Sequence, residues 1–168
     1  MFINILLAIA VAIVVLVFVV ALQSSEFRVT RTATISAPVA VVFAQVNDLH
    51  KWEAWSPWAK LDPAAKTTYE GPAAGVGAGF RWAGNNKIGE GSMTITESRP
   101  GNFIQFPLEF LRPFKATNTA EFNFKSEGSQ TTVTWSMFGR NNFMGRAVGL
   151  VMNCDKMVGG QFERGWRK

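Results

Sequence analysis

From Phe2 to Leu22 the chain carries no charge, and Asn4 is its only clearly polar side chain. About 20 consecutive apolar residues suffice to cross the hydrocarbon core of a bilayer as a helix. A helix that is apolar all round needs burial on every side, which a small domain does not offer. The first charged residue is Glu26. The sequence therefore divides into a transmembrane anchor, residues 1–23, and a soluble domain, residues 24–168. A cleaved signal would open with basic residues and carry a shorter apolar stretch, of roughly 7–15 residues. No Lys or Arg precedes this run, which favours a retained single-pass anchor; Val19-Val20-Ala21 leaves signal cleavage as the alternative. Arg28 and Arg31 follow it, so the positive-inside rule places the domain on the cytoplasmic face of the membrane. The tether, Gln23 to Glu26, spans about 14 Å at full extension. The domain is expected to sit against the bilayer.

The net charge of +5 comes from basic residues scattered between Arg28 and Lys168 without a run. That argues against nucleic acid as a partner and suits an anionic membrane surface. Cys154 is the only cysteine and His50 the only histidine, which excludes a disulfide framework and a His/Cys metal cage. No metal and no cofactor is expected.

The soluble part opens with alternation. Phe27, Val29, Ala33 and Ile35 share one face against Arg28, Thr30, Thr32 and Thr34, the pattern of a half-buried strand. Ser36-Ala37-Pro38 predicts a helix start with Ser36 as cap, continued by Val39–Val46. A second short helix is expected from Asp48 to Trp55, ended by Ser56-Pro57. Strands are predicted at 67–70, 78–83, 88–97, 103–110 and around Phe122 and Trp135, separated by glycine and asparagine turns. The glycines from Gly75 to Gly79 precede a strand rather than a helix, so they make a hairpin loop and not a phosphate cradle. From Asn142 the apolar period changes: Phe143, Ala147, Leu150, Val151, Cys154, Val158 and Phe162 predict one long amphipathic helix, with Cys154 on its inward face. The expected fold is α+β: a helix-grip architecture in which a curved antiparallel sheet, two short helices and a long C-terminal helix enclose a cavity, preceded by one transmembrane helix.

Several segments then become recognisable. Ile35-Ser36-Ala37-Pro38 with Val41 and Phe43, Trp52-Glu53-Ala54-Trp55-Ser56-Pro57-Trp58, Gly89-Glu90-Gly91-Ser92-Met93, Val133-Thr134-Trp135, and Lys156-Met157-Val158-Gly159 with Phe162-Glu163-Arg164-Gly165 carry the resemblance. From about Phe27 to Gly165 the chain resembles the START-like (SRPBCC, Bet v 1-like) superfamily, in its polyketide cyclase/dehydrase branch. The resemblance implies a cavity for a hydrophobic small molecule or lipid. It does not imply catalysis, because fold-level likeness does not carry function. The sequence departs from the family at its end, where Trp166-Arg167-Lys168 replaces a longer aliphatic extension of the last helix.

The ligand-binding candidates are Trp52, Trp55 and Trp58 at the cavity mouth, and Phe80, Trp82, Met93, Phe106, Phe122, Trp135 and Met137 by inward strand parity. Arg31 and Asn118 interrupt apolar parity, and a buried polar group needs a partner that a ligand head group can supply. For catalysis the candidates are His50, beside Glu53, and Tyr69. Leu111-Arg112-Pro113-Phe114-Lys115 combines apolar and basic side chains in one turn suited to a bilayer interface. The leading expectation is a membrane-anchored domain that binds a hydrophobic molecule. A polyketide cyclase/dehydratase-type enzyme and a membrane-tethered interaction module are the alternatives.

Overall fold

The computed structural model describes residues 2–151 and 154–166. Helix α1, Phe2–Leu22, is followed by strand β1, Glu26–Ile35, after a three-residue link. Helix α2 is Val39–Asn47, and a 3₁₀ turn, Leu49–Lys51, runs into the short helix α3, Trp52–Trp55. Seven further strands follow: β2 Lys66–Glu70, β3 Gly79–Ala83, β4 Glu90–Thr94, β5 Glu97–Arg99, β6 Phe103–Arg112, β7 Ala116–Glu127 and β8 Gln130–Arg140. Helices α4, Phe143–Val151, and α5, Cys154–Trp166, close the chain. The expected α+β helix-grip fold is present.

All strand pairings are antiparallel, in the order β1-β8-β7-β6-β4-β3-β2, with β5 paired to β6 beside this path. The alternation read from the sequence is the one the sheet uses. Ile104, Phe106, Ala120, Phe122, Val133 and Trp135 are all buried on its inner face. On the outer face of the β1–β8 pair, hydroxyls meet across the strands: Thr30 with Ser136 at 3.0 Å, Thr32 with Thr134 at 3.0 Å and Thr34 with Thr132 at 3.2 Å. Such cross-strand pairs add to sheet stability and fix register.

Three sequence expectations are corrected. The strand predicted over 88–97 is two strands, β4 and β5, because the chain exchanges partners there: β4 lies between β3 and β6, whereas β5 pairs with β6 alone. Ser36 does not cap α2. Pro38 occupies the cap position without a side-chain bond, and Thr131 Oγ1 secures the junction by donating to the Ala37 carbonyl at 2.8 Å. Asp48 does start the next turn, accepting from the His50 backbone N–H at 3.1 Å. Helix is described over most of the stretch expected from Asn142, as α4 beside α1 and as α5 across β1. Asn142 begins α4 by accepting the Gly145 N–H at 2.8 Å. The Arg146 guanidinium then donates to the Ala21 carbonyl of α1 at 3.1 Å, which ties α4 to the N-terminal helix. The inward placement expected of the Cys154 side chain, and residues 167–168, lie outside what the structure describes.

Third, Arg31 is not among the residues that line the cavity. Its inward parity on β1 is as read, opposite Trp135, but its partner is α5. It bonds Asp155 at 2.8 Å and Glu163 at 3.0 Å, both in ion-pair geometry. The hydrogen bonds to Asp155 and then Glu163 hold its guanidinium above its ordinary range, and the same contact holds the Asp155 carboxyl below its own. An aspartate pKa depressed on folding stabilises fully above its unfolded value, about 3.9. That contribution fades only as pH falls through the lower folded value, so the Arg31–Asp155 contact persists into mild acid. Gly159 makes room for this latch, since a Cβ there would overlap the Arg31 guanidinium. Gly159→Ala is therefore expected to unlatch Arg31, although alanine is the better helix former by about 1 kcal/mol. Urea melts of the double-mutant cycle check this: Asp155→Asn should destabilise the native background and not the Gly159→Ala background.

Candidate ligand site

The inner face of the sheet, α3, the segment after it and α5 surround a cavity of about 1480 Å3. Each wall follows from the local sequence. Trp52 is positioned by α3 and donates its indole N–H to the Val46 carbonyl at 2.9 Å, which satisfies the polar end of a ring that is otherwise buried. Trp82 on β3 donates to the Ile88 carbonyl at 3.1 Å. It lies over Gly91 of β4, where a Cβ would collide with the indole and with the Glu109 carbonyl. Phe162 of α5 stacks on Trp135 of β8, with ring centroids 3.9 Å apart and planes 9° apart. That stack forms the wall where helix and sheet meet.

Most of the expected site residues come together here. Trp52, Trp58, Phe80, Trp82, Met93 and Phe106 line the cavity. So do Trp135, Met137, Asn118 and Tyr69. Trp55, expected at the mouth, and Phe122, expected by strand parity, are not among the lining residues. Trp55 packs on Phe122 and Trp135 with its indole N–H on the Gln45 carbonyl, and Phe122 is fully buried against Trp135. They support the wall rather than form it. Arg31 and His50 are also outside the lining.

Sequence reasoning missed other lining residues. Leu61 and Pro63 belong to an irregular segment without periodicity. Gln161, on α5 next to Phe162, lines the cavity, and its buried Oε1 has no hydrogen-bond partner among the described residues. Its one signal in the sequence is a polar side chain adjoining an apolar helix stripe. Lys87, Arg112, Lys115 and Arg140 form a basic rim.

The sheet registers show where this rim lies. Glu26 pairs with Arg140, Asn118 with Gly139, Phe110 with Ala116, and Arg112 with Glu90. The start of β1, the end of β8, the β6–β7 turn and the start of β4 therefore share one end of the sheet. This is the end at which α1 enters. Exposed lining residues at that end include Lys87, Phe114, Lys115, Asn142 and Met144. A second exposed stretch of the lining runs along β2, at Thr67 and Tyr69.

The two catalytic candidates meet, but not as an acid–base pair. The His50 and Tyr69 rings stack face to face, 4.0 Å between centroids and 19° between planes, so neither aims a proton at the other. His50 Nδ1 lies 3.3 Å from Asp48 Oδ1 on the surface. Burial, and next the Glu53 and Asp48 carboxylates, raise the Tyr69 pKa. Its phenol remains a neutral hydrogen-bond donor at physiological pH and does not become a base. No group of three or more His, Cys, Asp or Glu suited to a metal occurs among the described residues.

Comparison with known proteins agrees with this architecture. No curated protein matches the sequence. Among solved structures, the Mll3558 protein from Rhizobium loti is 16% identical with a TM-score of 0.61, covering 83% of this chain and 94% of its own. Aha1 from Colwellia psychrerythraea, solved as a dimer, is 13% identical with a TM-score of 0.55, covering 82% of this chain and 91% of its own. DynU16, from the dynemicin biosynthetic locus, is 16% identical with a TM-score of 0.55 over 83% of this chain and 46% of that one. At these identities the likeness is one of fold. The family model described as polyketide cyclase/dehydrase and lipid transport matches residues 26–168, the whole of the chain after the apolar helix and its link. With that match, the curved sheet and the aromatic cavity beneath α5, the chain belongs to the polyketide cyclase/dehydrase and lipid-transport family.

Proposed function

We propose that this protein is a membrane-anchored carrier or receptor that takes one apolar small molecule or lipid into the cavity from the bilayer side. The observation that carries the reading is the cavity itself. Its volume of about 1480 Å3 exceeds the roughly 300–1,000 Å3 of ordinary small-molecule pockets. Its walls are aromatic and thioether side chains, and it is exposed at the end of the sheet where α1 enters. Met93 and Met137 add adaptable surface for an irregular occupant. Helix α1 has the length and composition to cross a membrane, with a mean hydropathy of 3.5 and little burial against the rest of the chain. A bilayer would concentrate an apolar ligand at the mouth. The face-to-face packing of His50 and Tyr69 gives the enzyme alternative less support.

The reading is tested with the full chain in nanodiscs of brominated phosphatidylcholine. Bromine quenches indoles only at contact, and Trp52 and Trp135 are shielded from the bilayer by the fold. Quenching of these buried tryptophans is the expected result. Emission unchanged from that in unbrominated discs would count against lipid entry.

The β6–β7 turn supports apposition to the membrane. Leu111 and Phe114 are 45% and 64% exposed beside Arg112 and Lys115. Burying one such apolar side chain is worth about 1.5–3 kcal/mol. The double substitution Leu111→Asp, Phe114→Asp is expected to weaken association of residues 24–168 with anionic vesicles by tenfold or more. Unchanged cosedimentation would remove the turn from the interface.

A further inference from the structure

The cavity has an apolar interior and a cationic mouth, and the two together narrow the chemistry of its occupant. We infer that the mouth binds the anionic head group, carboxylate or phosphate, of an amphiphile whose tail fills the aromatic interior. This rests on the reading of the cavity as a ligand site. Five basic residues line the cavity, Lys60, Lys87, Arg112, Lys115 and Arg140, against two acidic ones, Glu53 and Asp62. The acids do not neutralise the mouth. Asp62 is engaged by the backbone N–H groups of Ala64 at 3.2 Å and Asn85 at 2.7 Å. Glu53 lies toward the β2 side, where its charge acts on Tyr69.

Of the bases at the mouth, Arg112 is paired with Glu90 at 2.8 Å. Lys87, Lys115 and Arg140 have no ion pair among the described residues, although Glu26 is the cross-strand neighbour of Arg140. They come from three separate places in the chain: the loop before β4, the β6–β7 turn and the end of β8. The sheet registers bring these to one end. Just inside them, Asn118 is 9% exposed, lines the cavity and is the register partner of Gly139. Its amide has no hydrogen bond to a described residue, so it offers a donor to a head group held by the three cations. The three exposed cations stand at one end of the sheet beside an apolar wall and repel one another. An anion placed among the three is attracted by all of them. A neutral sterol or hydrocarbon would leave these groups uncompensated.

The probe is dansyl-undecanoic acid with its uncharged methyl ester as the control. Both are titrated into the full chain in nanodiscs of zwitterionic phosphatidylcholine, above the carboxylate titration range. Energy transfer from the cavity tryptophans to dansyl reports entry, and empty discs correct for partition into lipid. The acid is expected to bind about tenfold more tightly than the ester. In the triple variant Lys87→Gln, Lys115→Gln, Arg140→Gln that preference should disappear while ester affinity is retained, which also shows that the variant is folded. Equal affinity of acid and ester for the native chain would overturn the head-group site and leave the apolar cavity standing. A preference that persists in the triple variant would overturn it as well, as would a variant that loses only vesicle association. Displacement of the acid by inorganic phosphate alone would make this a site for a free anion and overturn the amphiphile. Failure of both probes to enter would overturn the head-group site together with the carrier reading.

Discussion

Phe162→Ala is expected to destabilise the domain by about 3–5 kcal/mol, a large fraction of the stability of an ordinary small domain. Phe162 is 1% exposed, stacks on Trp135 and meets Trp58 edge-on at 6.0 Å between ring centroids. It is the fully buried apolar contact of α5 with the core, with Val158 packed beside the core and the partly exposed Arg31 latch as a polar fastening. Removing the ring opens a void between helix and wall that the stiff strand backbone cannot close. Urea denaturation of residues 24–168, followed by tryptophan emission, measures the loss. A change below about 1 kcal/mol would mean that α5 is held mainly by its ion pairs.

The second large effect is on uptake and not on stability. Ala120 on β7 is 2% exposed, lines the cavity and lies between Phe106 and Met137 in the sheet register. In a well-packed core, Ala120→Trp would cost about 1–3 kcal/mol through overpacking. Here the added indole has a cavity to enter. The variant is expected to melt close to the native protein and to bind Nile red at least tenfold more weakly. A variant that unfolds would show that the wall at Ala120 is already filled. One that binds normally would show that apolar molecules enter elsewhere.

Much of this arrangement was legible because strand parity is a local signal. Ile104, Phe106, Ala120, Phe122, Val133 and Trp135 alternate with polar neighbours, and the sheet buries them on the face the alternation indicates. Parity does not report depth. Phe122 sits behind the cavity wall and Phe106 in it, although both share the inward parity of their strands. Nor does it report partners. The parity of Arg31 puts it on the inner face, but its carboxylates lie 124 and 132 residues further along the chain. Their place is set by how α5 crosses β1. The exchange of partners between β4 and β5 was invisible for a similar reason, since Ile95 continues the inward alternation across the bend. The basic mouth is the clearest case. Lys87, Lys115 and Arg140 form no run in the sequence, and only the antiparallel registers collect them at the end where α1 enters.

The central claim is that the cavity holds an apolar molecule, and the most direct measurement is to look inside the protein as cells make it. The full chain, taken from the cells that make it into nanodiscs and released intact in a native mass spectrometer, should carry one retained amphiphile that solvent extraction then identifies. Ala120→Trp prepared in parallel should lack it. An empty native chain that also fails to take up fatty acids, sterols or aromatic polyketides would contradict the carrier and leave α1 with a domain whose work lies on its surface.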